Sequence, residues 1–155
     1  MLFRSIDIPL MADPRKKGKT IPSANGKESL TKLKVIERYR IATLVECRLI
    51  TGRHHQIRVH CAAIGHPLLI DEMYGSATEF KLSSIKRKFN LKKEEIEKPL
   101  MTRVTMHSLS LTFVHPTSRQ QVSFKSEYPK DFRALTQCLR KYAKLPDYYK
   151  MSFEV

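Results

Sequence analysis

Acidic residues are scarce in this chain. Asp and Glu number 15 against 29 Lys and Arg, a formal net charge of +14 over 155 residues, with an isoelectric point near 9.9. That excess excludes an ordinary charge-balanced surface and favours an anionic partner. Long apolar runs are lacking as well. The charge favours nucleic acid or an anionic membrane surface, and no stretch is apolar for long enough to span a bilayer. Cysteine is sparse: Cys47, Cys61 and Cys138, an odd number without CxxC spacing. This argues against a disulfide framework or zinc knuckle, and the three read as small core residues in a reducing compartment. Met1-Leu2-Phe3-Arg4-Ser5 lacks the charged and apolar regions of a secretory signal, so the expected compartment is the cytoplasm.

An apolar fraction of 41% and this length fit one domain with a real core. Residues 1–29 show little periodicity. Residues 6–9 predict a short edge strand ended by Pro9, and Asp13 to Lys19 a basic, turn-rich loop. Residues 31–38 and 41–50 alternate and predict neighbouring strands, with Leu33 and Val35 on one face of the first, and Val45, Cys47 and Leu49 on one face of the second. After Thr51-Gly52 the period changes. Ile57, Cys61 and Ile64 fall at helical spacing, with Thr51 as N-cap, Gly65 at C′ and Pro67 forbidding continuation, for a helix of about three turns. Residues 80–98, where Leu82, Ile85 and Phe89 recur, predict a charged surface helix. Residues 103–114 and 121–125 predict a hairpin around His115-Pro116. A final helix follows Pro129, with Phe132, Leu135, Leu139 and Tyr142 on one stripe, and a loosely held tail begins at Pro146. The mixture lacks βαβ alternation. It predicts an α+β fold with a mixed, mostly antiparallel sheet and flanking helices.

The chemistry gathers where strand turns to helix, in Thr51-Gly52-Arg53-His54-His55-Gln56-Ile57-Arg58-Val59-His60. Arg58 stands one residue beyond the packed Ile57, about 100° round the helix, at the border of the buried stripe. A guanidinium there needs an anion, either a carboxylate in a structural ion pair or a ligand's carboxylate or phosphate. Arg53, expected in the first helical turn, is either an anion contact beside free N–H groups or simply solvated. No two of His54, His55, His60 and His66 stand at i, i+4, so no metal is expected. Cys61 beside His60, mid-helix, is poorly angled for nucleophilic work.

The stretch Leu49-Ile50-Thr51-Gly52-Arg53-His54-His55-Gln56-Ile57-Arg58-Val59-His60, followed by Gly65-His66-Pro67-Leu68, Asp71 and Tyr74-Gly75, resembles the signature of RluA-type pseudouridine synthases. Residues 103–116 and Tyr128-Pro129-Lys130-Asp131-Phe132 downstream, and residues 6–9, Asp13-Pro14, Gly26-Lys27 and Thr31 upstream, follow the family's order. The likeness runs to about Leu139. It implies an isomerase that converts uridine to pseudouridine in ribosomal or transfer RNA, without metal or cofactor. In that family an aspartate attacks the nucleotide, and the uracil is detached, turned and rejoined through carbon. Arg58 would pair with and orient that aspartate. Arg53, His55, Gln56 and His60 would brace the cleft or approach phosphate, and Met106 would pack near the uracil. The base must leave its stack to react, so a basic groove and a tight pocket are both expected.

The sequence departs from the family in one large respect. The His-Arg-Leu-Asp stretch that carries the nucleophile, and the tyrosine-bearing strand after it, do not occur in these 155 residues. None of Asp7, Asp13, Asp71, Asp131 or Asp147 sits in a similar context. His54 stands where the family usually has a hydroxyl residue, and Ile70 where it usually has Gly. Residues 1–145 are therefore expected to be the C-terminal portion of a catalytic domain, inactive alone, with residues 146–155 as tail. An apolar sheet face and open edge should be exposed, available to a second copy or to the missing half. The alternatives are a non-catalytic basic RNA-binding module and one half of a split synthase.

Overall fold

The computed structural model describes residues 4–92 and 94–146. The tail expected from Pro146 lies, from residue 147 on, outside the described residues, as does Asp147. Seven strands and two α-helices alternate irregularly along the chain, and every ladder among them is antiparallel. The α+β expectation therefore stands.

The centre is a three-stranded sheet in the order β1-β4-β5. β1 (Arg4–Asp7) is the edge strand expected before Pro9. β4 (Leu30–Arg38) and β5 (Thr43–Leu49) pair with Thr31 opposite Leu49, Leu33 opposite Cys47 and Val35 opposite Val45, so the two alternating runs place their apolar residues on one common face. A bulge at Ile36 breaks the register, and Ile36 turns out to solvent. β2 (Leu10–Ala12) and β3 (Thr20–Pro22) form a separate hairpin. The sequence predicted only a basic loop there. That loop closes the hairpin with Asp13 N–H bonded to the Lys19 carbonyl, and strands this short carry too few residues to show a period.

α1 (Gln56–Ala63) packs on β3 and β4. It starts later than expected and spans about two turns. Thr51 is not its N-cap. His55 holds that position in the left-handed conformation, at φ 55°, and the Gln56 side chain folds back and takes the Arg53 N–H and the Thr51 hydroxyl that a longer helix would have used. Gly65, at φ +78°, ends the helix as the sequence predicted.

Residues 80–98 are not a helix. A single 3₁₀ turn, Leu82–Ser84, is followed by irregular chain with Lys88 and Glu94 at positive φ. The ends explain it. Phe80 bonds to Met101 and Leu100 across a bridge, whereas a helix of this length would hold its ends roughly 28 Å apart. Ile85 is buried as the loop's anchor. Residues 103–109 are likewise not strand. The Arg103 guanidinium is held by Asp131, and Thr105 exchanges bonds with the single residue Ile70. Only β6 (Ser110–Val114) extends, pairing with β7 (Gln121–Lys125).

The main core lies beneath α2 (Lys130–Tyr142), whose Phe132, Leu135 and Leu139 pack with Ile70, Phe80 and Met101. The β6–β7 hairpin does not join it. Leu111, Phe113 and Phe124 share one face of that ribbon and are 59%, 40% and 60% exposed. No helix among the described residues is long and apolar enough to cross a membrane.

Candidate active site

Arg58 is held at the border of α1 by a fork-to-fork pair with Asp71. Its Nε donates to Oδ2 at 2.8 Å and its Nη2 to Oδ1 at 2.7 Å. The Asp71 side chain is fully buried and that of Arg58 is 14% exposed. Of the two anions that the sequence left open, the structure supplies a carboxylate from the chain itself. Asp71 closes its own turn as well, since Oδ1 accepts the N–H groups of Met73 and Tyr74 and its carbonyl accepts that of Gly75. A Cβ at Gly75 would stand 2.9 Å from that carbonyl oxygen, so the turn requires glycine. Burial pushes the Asp71 carboxyl up, but Arg58 and the two backbone N–H groups outweigh it and leave it below the usual carboxylate range. The same pair raises Arg58.

His55 completes the arrangement. Its Nε2 lies 2.9 Å from Arg58 Nη1 and its Nδ1 3.0 Å from the Tyr74 hydroxyl. A guanidinium only donates, so Nε2 must accept and Nδ1 must carry the proton. Burial, then the charge of Arg58, lowers His55 and keeps it in that neutral tautomer. Tyr74 Oη accepts from His55 and from the Thr20 amide at 2.9 Å, and its ring lies under the Arg58 guanidinium at 4.9 Å. The β2–β3 hairpin, helix α1 and the 71–75 turn are thus tied at one point. His54, on the solvent side, stacks ring to ring on His55 at 3.7 Å and shares a 3.0 Å hydrogen bond with Thr20 Oγ1.

The other expected site residues divide by burial. Gln56 is 2% exposed and fully engaged: Oε1 accepts from Thr51 Oγ1 and the Arg53 N–H, while Nε2 donates to the Leu30 carbonyl and Thr31 Oγ1. His60 is wholly buried. Its Nε2–H donates to the Ile8 carbonyl, so Nδ1 accepts from Thr31. Burial lowers it, against the opposing pull of Ile8 and Asp7. The expectation of RNA contact is corrected for these two, because neither reaches the surface. They pin α1 to β4 and to Ile8, the residue after β1. Arg53 is also corrected in place: it precedes the helix, and its Nε donates to the Glu28 carbonyl at 3.1 Å. Met106 is partly exposed, beside the Arg103–Asp131 pair, with its carbonyl accepting from Arg103. Cys61 is buried and Cys47 half-buried, and both are free thiols. Sequence reasoning missed Asp71 as the partner of Arg58, placed Thr31 and Tyr74 in the family's order without giving either a role, and missed Thr20 entirely. The acidic step Asp71-Glu72 that closes the apolar run Leu68-Leu69-Ile70 was a signal available there. No group of three or more His, Cys, Asp or Glu side chains suited to a metal occurs among the described residues.

Comparison with known proteins points to a family. The sequence model of the RNA pseudouridylate synthase family matches residues 6–63, from β1 through α1. Ribosomal large subunit pseudouridine synthase D of Neisseria meningitidis is 36% identical over 136 residues, 87% of this chain and 34% of the relative. Ribosomal large subunit pseudouridine synthase C of Escherichia coli is 37% identical over 140 residues, covering 89% and 40%. The chain thus spans between a third and two fifths of the length of these curated relatives. In fold it is similar to human RNA pseudouridylate synthase domain containing 1, with a TM-score of 0.54 and 23% identity over 93% of this chain and 62% of that one. With the Arg53-to-His60 stretch inside the matched segment and folded around Arg58, the chain matches the pseudouridine synthases over this segment, the family that its signature resembles.

Proposed function

We propose that residues 1–145 act as the C-terminal portion of an RNA pseudouridine synthase catalytic domain, isomerising uridine in ribosomal RNA in the cytoplasm. The observation that carries this is the unspent capacity of Arg58. A guanidinium has five N–H donors; Asp71 takes two and His55 one, leaving one on Nη1 and one on Nη2. These donors remain for a second carboxylate, which Arg58 would orient toward the nucleotide. That carboxylate is the aspartate of the His-Arg-Leu-Asp stretch, which these 155 residues do not contain. It attacks the nucleotide, the bond from ribose to the uracil nitrogen breaks, the base turns, and ribose is rejoined at carbon 5 with loss of its hydrogen. The net charge of +14 draws the RNA backbone into the site. The relatives' names specify the large ribosomal subunit, which supports ribosomal over transfer RNA. The exposed face of β6–β7 and the free edge of β5 supply the surface on which the aspartate-bearing segment, or a second copy, packs.

The test is release of tritium from ribosomal RNA labelled at uridine carbon 5. The 155-residue polypeptide alone is expected to stay at background. Joined to the aspartate-bearing half of the E. coli relative, it should release tritium, and Arg58→Ala should abolish that release with little change in RNA affinity. Turnover by the 155 residues alone would overturn the requirement for an outside aspartate. A folded joined protein without turnover, yet binding RNA, would favour the non-catalytic RNA-binding reading.

A further inference from the structure

The synthase reading leaves one side chain of the arginine centre without a task. His54 is exposed, yet its ring is held in place on two sides. One face lies on His55 at 3.7 Å and 29°, and Nδ1 is anchored to Thr20 Oγ1 at 3.0 Å. His55 beneath it is itself fixed by Arg58 and Tyr74. Among the described residues no other ring stacks on the far face of His54. The result is a rigid two-ring column that rises from the Arg58 centre and ends in an open aromatic face. Nothing in the packing needs it, because an exposed imidazole contributes little to a core.

We propose that His54 is a stacking platform for an unpaired RNA base beside the reacting uridine. The inference rests on the synthase reading and goes beyond it by assigning the neighbouring base a binding site. A uridine taken out of its stack leaves a neighbour with an uncovered face, which is unfavourable. An aromatic ring already held in place restores that stacking without losing rotamer freedom of its own. Stacking on an aromatic ring is tolerant of base identity, so the platform accepts any base at that position. The column also explains why His55 is shared between Arg58 and Tyr74: it holds the platform and the guanidinium in one fixed geometry.

The test uses a single-stranded oligouridine carrying 2-aminopurine at one position, whose fluorescence falls when the base stacks. Overall RNA binding by the 155-residue protein is followed separately, by anisotropy. With the wild-type chain, binding is expected to quench the 2-aminopurine. His54→Ala should lose the quench and about tenfold in affinity. His54→Phe, which keeps a ring but not the Thr20 bond, should restore most of both, whereas His54→Gln should restore neither. Unchanged circular dichroism and thermal unfolding in the three variants would exclude a folding effect. If His54→Ala binds and quenches like wild type, or His54→Gln rescues as well as His54→Phe, the platform is refuted while the synthase reading stands. If the wild-type chain binds no RNA at all, both fall together.

Discussion

Arg58 and Asp71 stand 13 residues apart and meet in a two-point ion pair, with N···O distances of 2.8 and 2.7 Å, at the wall of the site. The geometry makes Asp71 a positioning residue. Its carboxylate fixes the guanidinium plane, its Oδ1 closes the turn through Met73 and Tyr74, and its burial leaves it no path to a substrate.

Asp71→Asn should therefore be costly. It leaves the Arg58 charge nearly buried without a counter-ion, and breaking such a pair typically costs about 3–5 kcal/mol. Urea unfolding should move by that order, while an unchanged midpoint would mean that Arg58 finds another anion. The pair also sets an acid limit. The Asp71 carboxyl is held below its unfolded-state range by Arg58 and two N–H groups, despite burial. Its contribution is thus full above about pH 4 and lost as the pH falls through the lower folded value. The wild-type chain should lose stability in that window, and Asp71→Asn should lose correspondingly less over the same fall in pH.

Tyr74→Phe tests the knot that joins the β2–β3 hairpin to α1. The hydroxyl accepts from the Thr20 amide and His55 Nδ1, and both donors would be left without an acceptor, each at about 1–3 kcal/mol where water cannot replace it. Thr20 is buried, so it should bear most of this. Amide exchange at Thr20 should accelerate well beyond any change at Leu33 or Cys47 in the neighbouring sheet. Equal acceleration everywhere would show that the hydroxyl supports the domain generally rather than the hairpin.

How much of this the sequence carried depends on how local each cause is. The alternation in residues 31–38 and 121–125 and the stripe Phe132, Leu135, Leu139 are repeated choices by one element, and all three elements appear close to where they were expected. The border position of Arg58 follows from a single 100° step and also held. The start of α1 did not, because the rival to the Thr51 cap was Gln56, a side chain whose four hydrogen-bond partners come from Leu30, Thr31, Thr51 and Arg53. Partners on β4, more than 20 positions away, leave no periodic trace. The loop at 80–98 failed for a similar reason. Its helical spacing was real, but a long-range bridge between Phe80 and Met101 closed the ends and overrode it.

The last prediction concerns the β6–β7 ribbon. Its two faces differ: Thr112 and Ser123 join hydroxyls on one at 2.7 Å, beside an exposed Val114, while Leu111, Phe113 and Phe124 lie open on the other. A two-stranded ribbon is marginal in water without something to pack on, and contiguous apolar patches beyond a few hundred Å² are rare on monomers. In the absence of another segment, a second copy is the nearest cover. Light scattering should give a mass above 18.0 kDa that grows with protein concentration. Leu111→Ser combined with Phe124→Ser should return it to the monomer with a change in thermal unfolding of no more than a few degrees, because neither side chain belongs to the core under α2. A wild-type chain that stays monomeric at every concentration would show that the face does not cover itself. A double variant that unfolds far earlier would place these residues in the folded core instead of at its surface.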